Sequence, residues 1–194
     1  MKKYTGFTSG TPEKLLLDAG AFLKNFVPGT DTYESAKAAG KVIGATGGGG
    51  AFSAVPTLRS IPLDGVSEDT KGLKVIDDWK VTLSANVKEV SRENIEIALI
   101  TGSSVDGTTG YKKITANSDI VDENYIDNIT WVGRLSGSLK PVIIVVKNAL
   151  AVNGLSINMA DKGEATIALT FNGHFEQDDA NAPFEIHYPD ATVV

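Results

Sequence analysis

Cysteine is absent from this 194-residue chain. Thiol catalysis, Cys-based zinc sites and disulfide frameworks are therefore excluded together. Aromatic residues make up only 7% of the chain and tryptophan occurs twice, which leaves little for the exposed ring platforms of a sugar-binding face. The two histidines, His174 and His187, form no H-E-x-x-H pair that would chelate a metal from one helix face; both read as surface or interface residues. No run approaches the ~18 apolar residues that a membrane-crossing helix needs. Behind Met1-Lys2-Lys3 there is no apolar stretch of the kind that makes a secretion signal. Positive charge is also in short supply. The net charge is −6, and gripping phosphates depends on Lys and Arg neutralising them.

Motifs for chemistry are missing in the same way. The run Gly47-Gly48-Gly49-Gly50 lacks the Lys and Ser/Thr that follow the last glycine of a phosphate-binding loop; Ala51-Phe52 stand there instead. No G-x-S-x-G elbow occurs. The acidic groups Asp77-Asp78, Asp119/Asp122/Glu123/Asp127 and Asp178-Asp179 lack the offsets of a calcium loop and read as solvated. No catalytic residue, cofactor, metal or small-molecule substrate is expected.

What the sequence does have is glycine, 20 residues of it, and alternation. Trp79, Val81, Leu83, Ala85 and Val87 alternate with Lys80, Thr82, Ser84, Asn86 and Lys88, so one face meets a core and the other meets water. Ile167, Leu169, Phe171 and Phe175 repeat the pattern near the C-terminus. Phe52–Leu63 reads as a strand that Pro56 and Pro62 either confine to a sheet edge or interrupt, with a turn at Asp64-Gly65. Further strands are predicted at 21–27, 111–116, 125–135, 141–147 and 155–160, with a turn at Asp161-Lys162-Gly163. Ser91 caps a helix to Ile100. Short helices are predicted at Thr11–Leu17, ended by Gly20, and at Thr32–Ala39, with a helical turn at Asn148–Val152. Residues 102–110 read as a polar loop. The fold expected is mainly β: one domain over 1–194, an antiparallel β-sandwich or barrel with a flanking α-helix. Residues 28–50 read as one long flexible excursion, with the four glycines either a mobile loop or a backbone that must approach another surface closely. Residues 177–194 read as a C-terminal arm.

These segments resemble, in order, the major tail tube proteins of siphophages and related prophages. The likeness rests on Gly44–Phe52, Val55–Arg59, Asp64-Gly65-Val66, Lys71-Gly72-Leu73 and Trp79–Leu83. In the second half it rests on Ile144–Leu150, Asp161–Glu164, Asn172–Glu176 and Pro183–Ile186. The resemblance implies a structural virion protein, not an enzyme, assembled in the bacterial cytoplasm. Its copies would close into hexameric rings stacked as a tube, with tape measure and tail terminator proteins as further partners. DNA would pass through the lumen without specific binding, and no membrane is involved. On this reading Gly47, Gly48, Gly49, Gly50 and Phe52 make subunit or ring contacts, and Thr82, Ser84 and Asn86 face the lumen. The excursion and the arm would gain order from neighbouring copies. Removing residues 45–50 would leave folded subunits unable to form long tubes. The alternative is a carbohydrate- or receptor-binding β-sandwich, which would need a cluster of exposed aromatics.

Overall fold

The computed structural model describes residues 4–159, 161–179 and 181–190. Its strands in chain order are β1 (Leu16–Lys24), β2 (Thr46–Ser60), β3 (Lys74–Val87), β4 (Gly102–Asp106), β5 (Lys112–Ala116), β6 (Ile126–Leu135), β7 (Val142–Ala151), β8 (Ile157–Asn158), β9 (Thr166–Asn172) and β10 (Phe184–His187). Two helices, α1 (Tyr33–Ala38) and α2 (Arg92–Ala98), flank them. The chain is mainly β and antiparallel, and its sheets do not close into a barrel.

The alternation in β3 and β9 sets the core. Val81, Leu83, Ala85 and Val87 point inward beside Ile167, Leu169 and Phe171, and meet Phe22 of β1, Ile129 of β6 and Val146 of β7. The pairing order is β1-β6-β7-β9-β3-β2, with β10 added to β7 and β8 to β9. One layer is therefore β1, β6, β7 and β10, and the other is β2, β3, β9 and β8. Strand β7 belongs to both. Ile143–Val146 pair with β10, while Leu150 and Ala151 pair with β9. Asn148 lies between these stretches with φ 44°, a conformation that Asn tolerates better than most residues. Its side-chain amide donates to the His174 carbonyl oxygen at 3.3 Å and to Glu176 at 3.0 Å.

Both helices begin at capped residues, Ser91 as the sequence implies and Thr32 as the structure adds. Ser91 accepts from Asn94 N–H, and Thr32 and Ser35 form a reciprocal capping box. α1 buries Ala36 in a small satellite core with Leu23, Phe26 and Val132. α2 buries Ala98, and its Asn94 side chain donates to the Ile43 and Glu89 carbonyl oxygens at 2.9 Å each.

Several expectations need correction. The helix at 11–17 is only a 3-10 turn, Thr11–Lys14, after which β1 begins and runs through Gly20. Its Leu-Leu-Leu run is as compatible with a strand as with a helix. Asn148–Val152 is no helical turn: Ala149, Leu150 and Ala151 are buried in β7, and core burial overrides their helix propensity. Residues 102–110 are not simply a loop, because β4 pairs with β5 as a separate hairpin. The excursion at 28–50 is shorter and better anchored than expected. Ala36 and Ile43 are core residues, Val42 bridges Leu23, and β2 already begins at Thr46. The C-terminal arm does not wait for a neighbour either. Pro183 is fully buried and β10 pairs with β7 of the same chain. Residues 180 and 191–194 of that arm, like Ala160 at the end of the strand expected at 155–160, lie outside the described residues.

Candidate assembly surfaces

The glycine run is not a mobile loop. Gly47–Gly50 form the start of β2, and the pairing jumps from Thr46↔Val87 to Gly50↔Ala85. Residues 47–49 thus bulge opposite Asn86, with Gly48 and Gly49 at φ 80° and 75°, values that favour glycine. Gly50 is a point of close approach. A Cβ there would collide with the Ser84 carbonyl oxygen and with the Phe22 ring across the sandwich. The close-approach alternative is therefore the correct one, and the neighbouring surface is this chain's own. Phe52, also singled out for subunit contacts, is half-buried, with its ring centroid 5.8 Å from that of Phe184 in β10. Trp79 meets the same Phe184 edge-on at 5.5 Å.

A matching bulge lies in β1. Its register jumps from Leu17↔Arg134 to Ala21↔Val132, so residues 18–20 bulge opposite Gly133. Asp18 and Gly20 both have φ 71°. The Trp131 indole holds this bulge, with Nε1 donating to the Ala19 carbonyl oxygen at 2.8 Å. The ring packs so tightly on Gly20 and Gly133 that neither position has room for a Cβ. The two bulges face each other: a Cβ on Gly49 would lie 4.0 Å from that of Ala19. Bulges bend strands and end pairing at sheet edges. Here they leave β1 and β2 adjacent, with an open seam between them. An apolar cleft of about 310 Å³ lies along that seam, lined by Leu16, Phe22, Phe52 and Trp131 among others.

Strand β2 is 15 residues long and among the described residues pairs only with β3, which leaves one of its edges open there. Such an edge is a template for another strand unless it is blunted; Pro56 interrupts it once, as the sequence implies. The β2–β3 pair also outruns the sandwich. β9 covers only Thr82–Val87 of β3, so Lys74–Trp79 pair with β2 alone. That stretch forms a two-stranded arm of roughly 20 Å at about 3.3 Å per residue. The core-facing row Phe52, Ala54, Pro56 continues along the arm into Leu58, paired with Ile76; these two are 56% and 50% exposed. Asp77 is the extra residue of a bulge opposite Thr57 and Leu58, and Arg59 Nε donates to both its carboxylate oxygens at 2.9 and 3.2 Å. At the tip, Ile61, Leu63 and Val66 are exposed around the Asp64-Gly65 turn.

The residues expected at a lumen do share one outward face. Thr82, Ser84 and Asn86 pair with Asn172, Thr170 and Ala168 of β9, and Thr82 and Ser84 pair with Ser53 and Ala51 of β2. The patch carries no charge and no long side chain. It is bounded by Lys80 at one end and by the Lys88–Glu164 ion pair at the other.

Groups with other chemistry are dispersed. Asp77 is held by Arg59, and Asp179 accepts from the Asn181 backbone at 2.9 Å, which lowers its pKa. His174 Nδ1 lies 3.0 Å from the Asn148 carbonyl oxygen, with the ring edge-on to Tyr125. His187 lies 3.2 Å from Glu185. Among the described residues no group of His, Asp and Glu side chains is placed to hold a metal ion, and no helix is long and apolar enough to cross a membrane. The apolar arm and the β1 bulge are the features that sequence reasoning overlooked. Their signals were present: Leu58, Ile61, Leu63 and Val66 in a stretch with no core to fill, and Asp18-Ala19-Gly20 interrupting an apolar run. No protein-family model matches the chain, and no curated protein matches it.

Proposed function

We propose that this chain is a non-enzymatic, self-assembling subunit of a phage-type tail tube. Copies close into rings, six per ring on the family resemblance, and the rings stack around a channel through which DNA passes. The tape measure and tail terminator proteins are the further partners this reading implies. The observation that carries it is β2: a 15-residue edge strand, open on one side, that continues into an arm with an apolar row facing solvent. A heterologous contact made by such an edge propagates into rings or filaments. Ordering the arm by contact with a neighbour also removes Leu58 and Ile76 from water, at roughly 25 cal/mol per Å² of apolar surface covered.

The Thr82, Ser84 and Asn86 face is the candidate lumen lining. A surface of short uncharged side chains offers no cation to phosphate, and the net charge of −6 keeps DNA from adhering. The arm joins the Gly47–Gly50 bulge as a candidate contact: the space at Gly50 is taken up by the fold itself, whereas Gly48 has nothing within 4 Å of the place of a Cβ. Deleting residues 45–50 would remove the start of β2 and its core contact with Phe22, and so unfold the subunit. The receptor-binding alternative needs clustered aromatics; of the exposed Tyr4, Phe7, Tyr33, Tyr111, Phe175 and Tyr188, Tyr4 and Phe7 alone share a segment.

Negative-stain microscopy, combined with mass from light scattering over rising protein concentration, tests the proposal. Annular particles or hollow tubes are expected. A single-copy mass at every concentration, with no such particles, would contradict it.

A further inference from the structure

The β1 bulge builds a groove that nothing in the described chain fills. It has a volume of about 480 Å³ and lies between Tyr33 of α1, the Asp18–Ala21 bulge, Val132 and the β6–β7 connection at Leu139 to Pro141. Its floor is apolar and its rim is mainly basic. Arg134 and Lys140 line it and form no ion pair among the described residues. Lys37 lies over the Tyr33 ring, 5.9 Å from its centroid. Asp18 is the one acid in the lining. The groove is also held in shape: Trp131 pins the bulge through Ala19, and Asp18 keeps a left-handed conformation that an L-residue adopts only at a cost.

The tip of the β2–β3 arm has the complementary character. Ile61, Leu63 and Val66 are 38%, 53% and 42% exposed. In the same connection stand Asp64 and Glu68, which form no ion pair among the described residues, Asp69, which is paired with Lys74 at 2.6 Å, and one cation, Lys71, so that acids outnumber bases at the tip. No tip residue lines the groove of its own chain, and the arm carries the tip away from the sandwich.

We infer that the arm tip of one copy seats in the β1-bulge groove of a second copy. The three apolar side chains enter the groove, and Asp64 and Glu68 face Arg134 and Lys140 across the rim. This rests on the self-assembly reading and names the surfaces it uses. The contact is head-to-tail, since tip and groove are different patches, so each copy offers one of each and the chain of contacts continues. Opposed charges at the rim fix the register and disfavour wrong pairings.

The test uses the full-length protein and light-scattering mass over a concentration series. One variant reverses the groove (Arg134→Glu with Lys140→Glu), one reverses the tip (Asp64→Lys with Glu68→Lys), and a third carries all four substitutions. All four side chains are exposed, so the thermal melt of single copies is expected to stay put. Each single-surface reversal is expected to raise the concentration for half-assembly about tenfold or more, because like charges then meet across the rim. The fourfold variant is expected to restore assembly to near the wild-type concentration. Wild-type-like assembly of either reversed variant, or no restoration in the fourfold variant, overturns this inference and leaves self-assembly standing. A wild-type chain that never assembles overturns both.

Discussion

Gly50 and Phe22 touch across the sandwich, beside the seam between β1 and β2. The space a side chain would occupy at position 50 is already taken, by the Phe22 ring on one side and the Ser84 carbonyl oxygen on the other. Gly50→Ala should therefore destabilise the single copy by about 1–3 kcal/mol, the usual cost of overpacking. Gly6→Ala should change stability by less than about 0.5 kcal/mol, since a methyl group at position 6 would meet nothing within 4 Å. Urea unfolding of the two variants checks both values. Equal midpoints would mean that the glycine run is a loop after all.

Trp131 is expected to matter for the bulge more than for the core. Trp131→Phe keeps an aromatic ring between Gly20 and Gly133 but removes the donor to the Ala19 carbonyl oxygen. The loss should be about 1 kcal/mol, the net value of one such hydrogen bond. Amide exchange should quicken at residues 18–20 and remain unchanged in β3, a pattern that mass spectrometry of exchanged peptides resolves.

Leu58→Ser and Ile76→Ser separate folding from assembly. Both side chains are half-exposed on the arm, so the melting temperature of single copies should barely move. Assembly should weaken about tenfold, as expected when an apolar side chain near the centre of an interface is truncated. A large drop in melting temperature with unchanged assembly would place these residues in the core instead.

Acid should loosen the C-terminal strand. Lys147, 2.5 Å from Glu185, holds that carboxyl below the usual carboxylate range, with His187 adding a smaller effect in the same direction. Lys41 does the same for Asp31 through a hydrogen bond of 2.5 Å. A carboxyl whose pKa is lower in the folded state stabilises above its unfolded value, about 4.3 for Glu, and that contribution is lost as pH falls through the folded value. Exchange at residues 184–187 should therefore accelerate as pH falls below about 4, after correction for intrinsic rates. Glu185→Gln should abolish most of that dependence.

Much of this architecture could be read directly from residue order. The alternation from Trp79 to Val87 predicts a half-buried strand, and Thr82, Ser84 and Asn86 do share its outward face. Ser91 marks a helix start because capping is local chemistry, and the Thr32–Ser35 box does the same for the helix expected at 32–39. Where the reading failed, tertiary contacts decided. Gly47–Gly50 looks entropic in isolation, and that Gly50 is packed shows only once Phe22, from another layer, is seen to sit against it. The Asn148–Val152 stretch carries helix-forming Ala and Leu, yet β7 extends through Ala151 because it must serve both sheets. The groove was invisible because its wall is a bulge whose shape depends on Trp131, more than a hundred residues away in the chain. The arm was half-visible: its apolar residues stand plainly in the sequence, but only the short reach of β9 along β3 reveals that no described strand covers them.

The central claim is that β2 and its arm are completed by another copy of the chain. Hydrogen exchange of residues 46–60, compared between single copies and the largest assembled species, tests it most directly. Exchange in this strand is expected to slow by roughly tenfold or more on assembly, while β6, already paired on both sides, changes little. Unchanged exchange across 46–60 in an assembled particle would contradict the claim.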